Sequence, residues 1–100
     1  MKYGLPEETI DKICDVFSRY PHIDKAVLYG SRAKGTFRNG SDIDISLAGE
    51  GIDLSLLNDI SENIDELLLP YTVDLSSLSL IDNTDLLEHI HRVGIVLYQR

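Results

Sequence analysis

The sequence predicts an α/β (α+β) fold with about four strands in one sheet and helices packed on it. Three observations predict it. Apolar spacing along the chain alternates between a helical period of three to four and a strand period of two. Gly and Pro stand where the period changes, at Pro21, Gly30 and Pro70. The length, 100 residues, suits one small domain over 1–100 with one core and one cleft.

Each element has its own signal. Pro6-Glu7-Glu8 opens a helix, with proline in the first turn and acids near the positive end of the dipole. Ile10, Ile13, Cys14 and Phe17 give it one apolar stripe, so a helix is expected over about 6–20 with Cys14 as a core thiol. Lys25-Ala26-Val27-Leu28-Tyr29 reads as a strand closed by a tight turn at Gly30. Residues 31–41 are rich in Gly, Ser, Asn and Arg, with room for one helical turn after Ser31. Asp42 to Leu47 alternates: Asp42, Asp44 and Ser46 face one side, Ile43, Ile45 and Leu47 the other. That is the pattern of a half-buried strand.

Asp53 is a helix N-cap, followed by Leu54, Leu57, Ile60, Ile64, Leu67 and Leu68 at helical spacing, so the helix should run to about 69 and stop at Pro70. Tyr71 to Ser76 alternates again, with Thr72, Asp74 and Ser76 on the polar face. A last helix is expected from Asp82 to Val93 and a last strand over Ile95–Tyr98.

Composition narrows the function. No apolar run approaches the roughly 18 residues needed to span a bilayer, and Met1-Lys2-Tyr3-Gly4 leads into a helix without a signal-peptide core, so a cytoplasmic protein is expected. The single cysteine, Cys14, cannot pair internally. There are 17 acids and 9 Lys or Arg, a net charge of −8, which disfavours binding to nucleic-acid backbones. The charge is unevenly spread. Lys25 to Ser41 carries Lys25, Arg32, Lys34 and Arg38 and no acid, whereas Asp42 to His91 carries 12 acids and no Lys or Arg. An anion site beside a cation site would read this way; so would ordinary polar loops and solvated helix faces.

Three features carry candidate chemistry: Gly30-Ser31 at a strand end, Asp42-x-Asp44 after ten intervening residues, and Asp74 on a later strand. Asp42 and Asp44 project from one side of a strand roughly 6–7 Å apart. Such carboxylates repel unless a cation sits between them or one is protonated. If the Asp74 strand lies alongside, three aspartates surround one point, and an all-oxygen set suits Mg²⁺ or Mn²⁺ rather than Zn²⁺. Gly30 permits a sharp turn and a close backbone approach to a ligand. Ser31 offers a hydroxyl and, if a helix starts there, backbone N–H groups for phosphate oxygens. Arg32, Lys34 and Arg38 add positive charge; they contact phosphate or are plain exposed loop charges. There is no Walker loop. Tyr29 is read as sheet packing, His22 as solvated, and His89 and His91 as surface or structural residues.

The stretch Gly30-Ser31-Arg32-Ala33-Lys34-Gly35-Thr36-Phe37-Arg38-Asn39-Gly40-Ser41-Asp42-Ile43-Asp44-Ile45 resembles the G-S-x₁₀-D-x-D signature of the DNA polymerase β superfamily of nucleotidyltransferases. The short length resembles its minimal, MntA-like branch. The likeness covers residues 25–76 by motif, with Val73-Asp74-Leu75 where the family carries its third carboxylate. It implies the nucleotidyltransferase fold, a mixed sheet of about four strands with helices packed on it, and that Gly30 and Ser31 bind the triphosphate of ATP; Arg32 and Lys34 join them as binding candidates by their charge alone. It implies that Asp42 and Asp44 hold two Mg²⁺ ions and that Asp74 ligates the catalytic metal. The implied reaction transfers AMP and releases pyrophosphate, and the implied partner is a small helical HEPN-type toxin modified on a tyrosine, with this chain as its antitoxin. Two other readings stay open: an antitoxin that neutralises its partner by contact alone, and transfer to a small hydroxylated acceptor. Transfer to RNA ends is disfavoured by the net charge.

Overall fold

A computed structural model describes all residues 1–100. The order is α1 (Glu7–Ser18), β1 (Lys25–Tyr29), α2 (Gly30–Lys34), β2 (Ile43–Ala48), α3 (Leu54–Asp65), β3 (Val73–Ser77), a 3₁₀ turn (Leu78–Leu80), α4 (Thr84–Val93) and β4 (Ile95–Gln99). The strands form one mixed sheet in the order β3-β2-β1-β4. β1 runs antiparallel to both β2 and β4, and β2 runs parallel to β3. A parallel pair needs a long crossover, and α3 supplies it. No helix is long and apolar enough to cross a membrane.

The alternation in β1 and β2 builds two apolar layers. On one face Ala26, Leu28, Ile43, Ile45 and Leu47 meet Ile13, Val16 and Phe17 of α1 and Leu57, Ile60 and Ile64 of α3. On the other, Val27 and Tyr29 meet Ile90 of α4, with Leu78, Ile81, Leu86 and Val93 around them. This second layer corrects one expectation. Ser46, on the same side of the alternating run as Asp42 and Asp44, is fully buried, so the expected half-buried strand is covered on both faces there. The 3₁₀ turn after β3, absent from the sequence reading, packs over β2 together with α4's layer. The strand is therefore buried on both faces over Ile45, Ser46 and Leu47.

The helix ends follow capping chemistry. The Asp53 carboxylate accepts from the Leu56 N–H at 2.9 Å, as expected of an N-cap. Asn83, not Asp82, caps α4 by accepting from the Leu86 N–H at 3.1 Å, so that helix starts at Thr84. α3 ends at Asp65, four residues before the expected stop. Leu68 takes a left-handed backbone, φ +54°, and stands exposed. The chain thus leaves the helix well before Pro70, whose predecessor must be extended. Cys14 lies half-buried, its Sγ donating to the Leu97 carbonyl at 3.4 Å, and burial, then Asp11, pushes its thiol up in pKa.

Candidate active site

The register sets the site. Tyr29 pairs with Asp44, and Asp44 pairs with Asp74 across the parallel ladder. Registered residues point to the same face, and adjacent strands lie about 4.8 Å apart. Tyr29, Asp44 and Asp74 therefore form one row across three strands. Asp42 stands just before β2 at the same edge. The next row inward is Val27, Ser46 and Ser76. The Ser46 Oγ is buried without a hydrogen-bond partner, and Ser76 faces the Tyr29 hydroxyl.

The carboxylates are crowded and unneutralised. Burial, then Asp74, then Asp42, raises the pKa of Asp44, with His89 pulling the other way. Tyr29 is raised by burial first and by Asp44 and Asp74 after it. The protein's ion pairs, Lys12–Glu8, Arg19–Asp15 and Arg92–Glu88, all lie elsewhere. No Lys or Arg thus balances Asp42, Asp44 or Asp74. Hard oxygen donors that repel one another, with no counter-cation, fit a divalent ion. The expected closed triad is nevertheless an open row: no three acidic, His or Cys side chains are gathered to hold an ion alone. None of the protein's pockets is lined by these aspartates or by Gly30 or Ser31. The row is a shelf, open to whatever docks on it.

The Gly30-Ser31 turn lies against this shelf. Gly30 has φ +75°, a conformation costly for L side chains. A Cβ there would collide with Oδ2 of Asp44 and come within 3.3 Å of its Cγ. The bare Cα, read from sequence as room for a ligand, is room for Asp44. The Gly30 N–H donates to Nε2 of His89 at 3.2 Å. His89 also meets the Tyr29 ring edge-on, centroids 6.2 Å apart. The sequence reading left His89 among surface or structural residues. Its signal is tertiary, the docking of α4, and no local pattern carries it.

The basic residues divide. Lys34 and Arg38 are exposed beside the turn, and Ser31 is half-buried at the start of α2. Arg32 corrects an expectation: as a phosphate contact it would need a free guanidinium, but the side chain is buried and donates to the carbonyls of Ser41 and Tyr3.

The comparisons agree with this geometry. The family model described as polymerase beta, nucleotidyltransferase, matches residues 11–100. Among curated proteins none matches the sequence. The fold is similar to that of a toxin–antitoxin crystal structure with AMP-PNP, at 26% identity and TM-score 0.73, covering 96% of this chain and 75% of that one. It is similar to the MntA–HepT toxin–antitoxin structure, at 21% identity and TM-score 0.72, covering 95% and 74%. A structure of a tri-AMPylated Shewanella oneidensis HEPN toxin in complex with an MNT antitoxin matches at 21% identity and TM-score 0.70, covering 94% and 72%. With nearly its whole length matched and the aspartates in register on one shelf, the chain belongs to the polymerase beta nucleotidyltransferase family.

Proposed function

We propose that this chain transfers AMP from ATP to a tyrosine hydroxyl of a small helical HEPN-type partner and so acts as its antitoxin. The observation that carries the reading is the Asp44–Asp74 register beside the Gly30-Ser31 turn. The fold it shares with toxin–antitoxin structures, one of them holding AMP-PNP, supports the nucleotide and the partner class.

In this reading the acceptor oxygen forms a bond to the α-phosphorus, the bond to the pyrophosphate oxygen breaks, and the hydroxyl proton leaves. Ser31 and the backbone of its turn hold the phosphates, with Lys34 as an exposed positive charge beside them. Asp42, Asp44 and Asp74 would hold Mg²⁺ or Mn²⁺, with phosphate oxygens completing the ligand set. Bound there, the metal neutralises triphosphate charge and lowers the pKa of the attacking hydroxyl. Asp74 is the exposed end of the row and orients the acceptor hydroxyl or takes its proton. The long acidic stretch of the chain favours a basic partner surface.

The test is intact-mass spectrometry of a HEPN-type helical protein from the same genome, after incubation with this chain, Mg²⁺ and ATP. The expected result is a gain of one or more AMP groups, roughly 329 Da each. Neutralisation of the partner with no added mass would establish contact-only inhibition instead.

A further inference from the structure

Arg32 is a cation that never reaches the surface, at 3% exposure. It has no carboxylate partner among the ion pairs. A buried guanidinium is costly unless its donors are used. Here Nη2 donates to the Ser41 carbonyl at 2.9 Å, Nε to the same oxygen at 3.3 Å, and Nη1 to the Tyr3 carbonyl at 3.0 Å. Its Cζ also lies 5.3 Å from the ring centroids of both Phe37 and Tyr71, within cation–π range. The N-terminal turn closes on the same group: a Cβ at Gly4 would meet the Phe37 ring and stand 2.9 Å from Arg32 Nη1.

These partners come from separate stretches, and two of them lead into the carboxylates. Ser41 precedes Asp42. Tyr71 lies three residues before Asp74. Arg32 itself sits one residue after Ser31. We infer that Arg32 is a positioning residue for the carboxylate row, rather than a phosphate ligand. Its planar fork pins the backbone that carries Asp42, and its stack with Tyr71 pins the chain leading into β3, both against the Gly30-Ser31 turn. Lysine is a poor replacement, because its compact ammonium lacks the planar fork that reaches the Ser41 and Tyr3 carbonyls while lying near both rings. The inference rests on the proposed reading of the row as a metal–nucleotide site, but its geometric half stands without that reading.

The experiment compares wild type with Arg32→Lys, well below the melting temperature of each, in three measurements: amide hydrogen exchange, Mn²⁺ affinity with AMP-PNP, and transfer kinetics. The expected result for Arg32→Lys is faster exchange over residues 37–44 and 71–74, at least tenfold weaker Mn²⁺ binding, and kcat at least tenfold lower with KM for ATP little changed. Wild-type exchange and Mn²⁺ affinity in Arg32→Lys would overturn the inference. A rise in KM alone would make Arg32 a phosphate ligand. A loss of melting temperature with normal Mn²⁺ affinity and kcat would make it core filling. If wild type transfers no AMP, the proposed function fails, while exchange and Mn²⁺ binding still decide the role of Arg32. Phe37→Leu, which keeps the guanidinium and removes one ring, gives the same readouts if Arg32→Lys does not fold; a smaller loss of the same sign is expected, and none would contradict the inference.

Discussion

Gly30 and Asp44 occupy each other's space: the volume that a side chain would take at Gly30 is filled by the Asp44 carboxylate. The turn and the carboxylate are therefore one unit, although 13 residues separate them in sequence. Gly30→Ala should displace Asp44 and also force alanine to φ +75°. The backbone cost alone is about 1–2 kcal/mol, a fall in Tm of roughly 4–16 °C for a domain of this size. Calorimetry with Mn²⁺ and AMP-PNP should show at least a tenfold loss of affinity. Ser31→Ala should lose about 0.5–1.5 kcal/mol, one hydrogen bond. Equal affinity for wild type and Gly30→Ala would show that Asp44 does not work from this position.

Asp44 should strain the ion-free fold at neutral pH. Its carboxyl pKa is raised, so the folded state holds a proton more tightly than the unfolded chain does. That contribution is fully present below the ordinary carboxylate value near 3.9 and is lost as pH rises through the higher folded value. At pH 7 the repulsion is fully expressed. Asp44→Asn, which removes charge and breaks no hydrogen bond, should raise the ion-free Tm by a few degrees at pH 7 and leave it nearly unchanged at pH 4. The same variant should abolish the rise in Tm that Mg²⁺ with ATP gives wild type by mass action. Thermal melts at the two pH values, with and without Mg²⁺ and ATP, measure both effects.

His89 should matter to the turn and His91 should not. His89 accepts from the Gly30 N–H, whereas His91 is exposed on the same helix. His89→Ala leaves that donor unpaired and should cost about 1 kcal/mol; His91→Ala should fall within about 0.5 kcal/mol of wild type. Urea midpoints for the two variants check this, and equal midpoints would remove His89 from the site.

Ser46 offers a stabilising change. Its hydroxyl is buried with no partner, opposite Ser76 on the neighbouring strand. An unsatisfied buried hydroxyl costs on the order of 1–3 kcal/mol, so Ser46→Ala should raise stability in urea by up to that amount. A loss of stability would mean that a bound water bridges the two serines.

The strands and the aspartates were legible because both rest on period-two spacing: Asp44 and Asp74 each fall on the polar side of an alternating run. The element order followed from the alternation of periods in the same way, whereas the mixed strand directions followed only from the family resemblance. What escaped the sequence depends on neighbours far along the chain. Ser46 stands on the polar side of an alternating run yet is fully buried, and His89 reaches Gly30 only because α4 docks on β1. Arg32 sits in a basic loop and so reads as an anion contact, while its donors are turned inward to Tyr3 and Ser41. A charged side chain declares its charge in sequence; the partner that uses it is set by packing.

The central claim is that the Asp44–Asp74 row moves a nucleotidyl group. The measurement that tests it most directly is label transfer to the helical partner from ATP carrying phosphorus-32 at either the α or the γ position. The account predicts label on the partner from the α position only, dependent on Mg²⁺ or Mn²⁺, and lost with Asp44→Asn and with Asp74→Asn while both variants remain folded. Label from the γ position, or α label that persists in either variant, would contradict it.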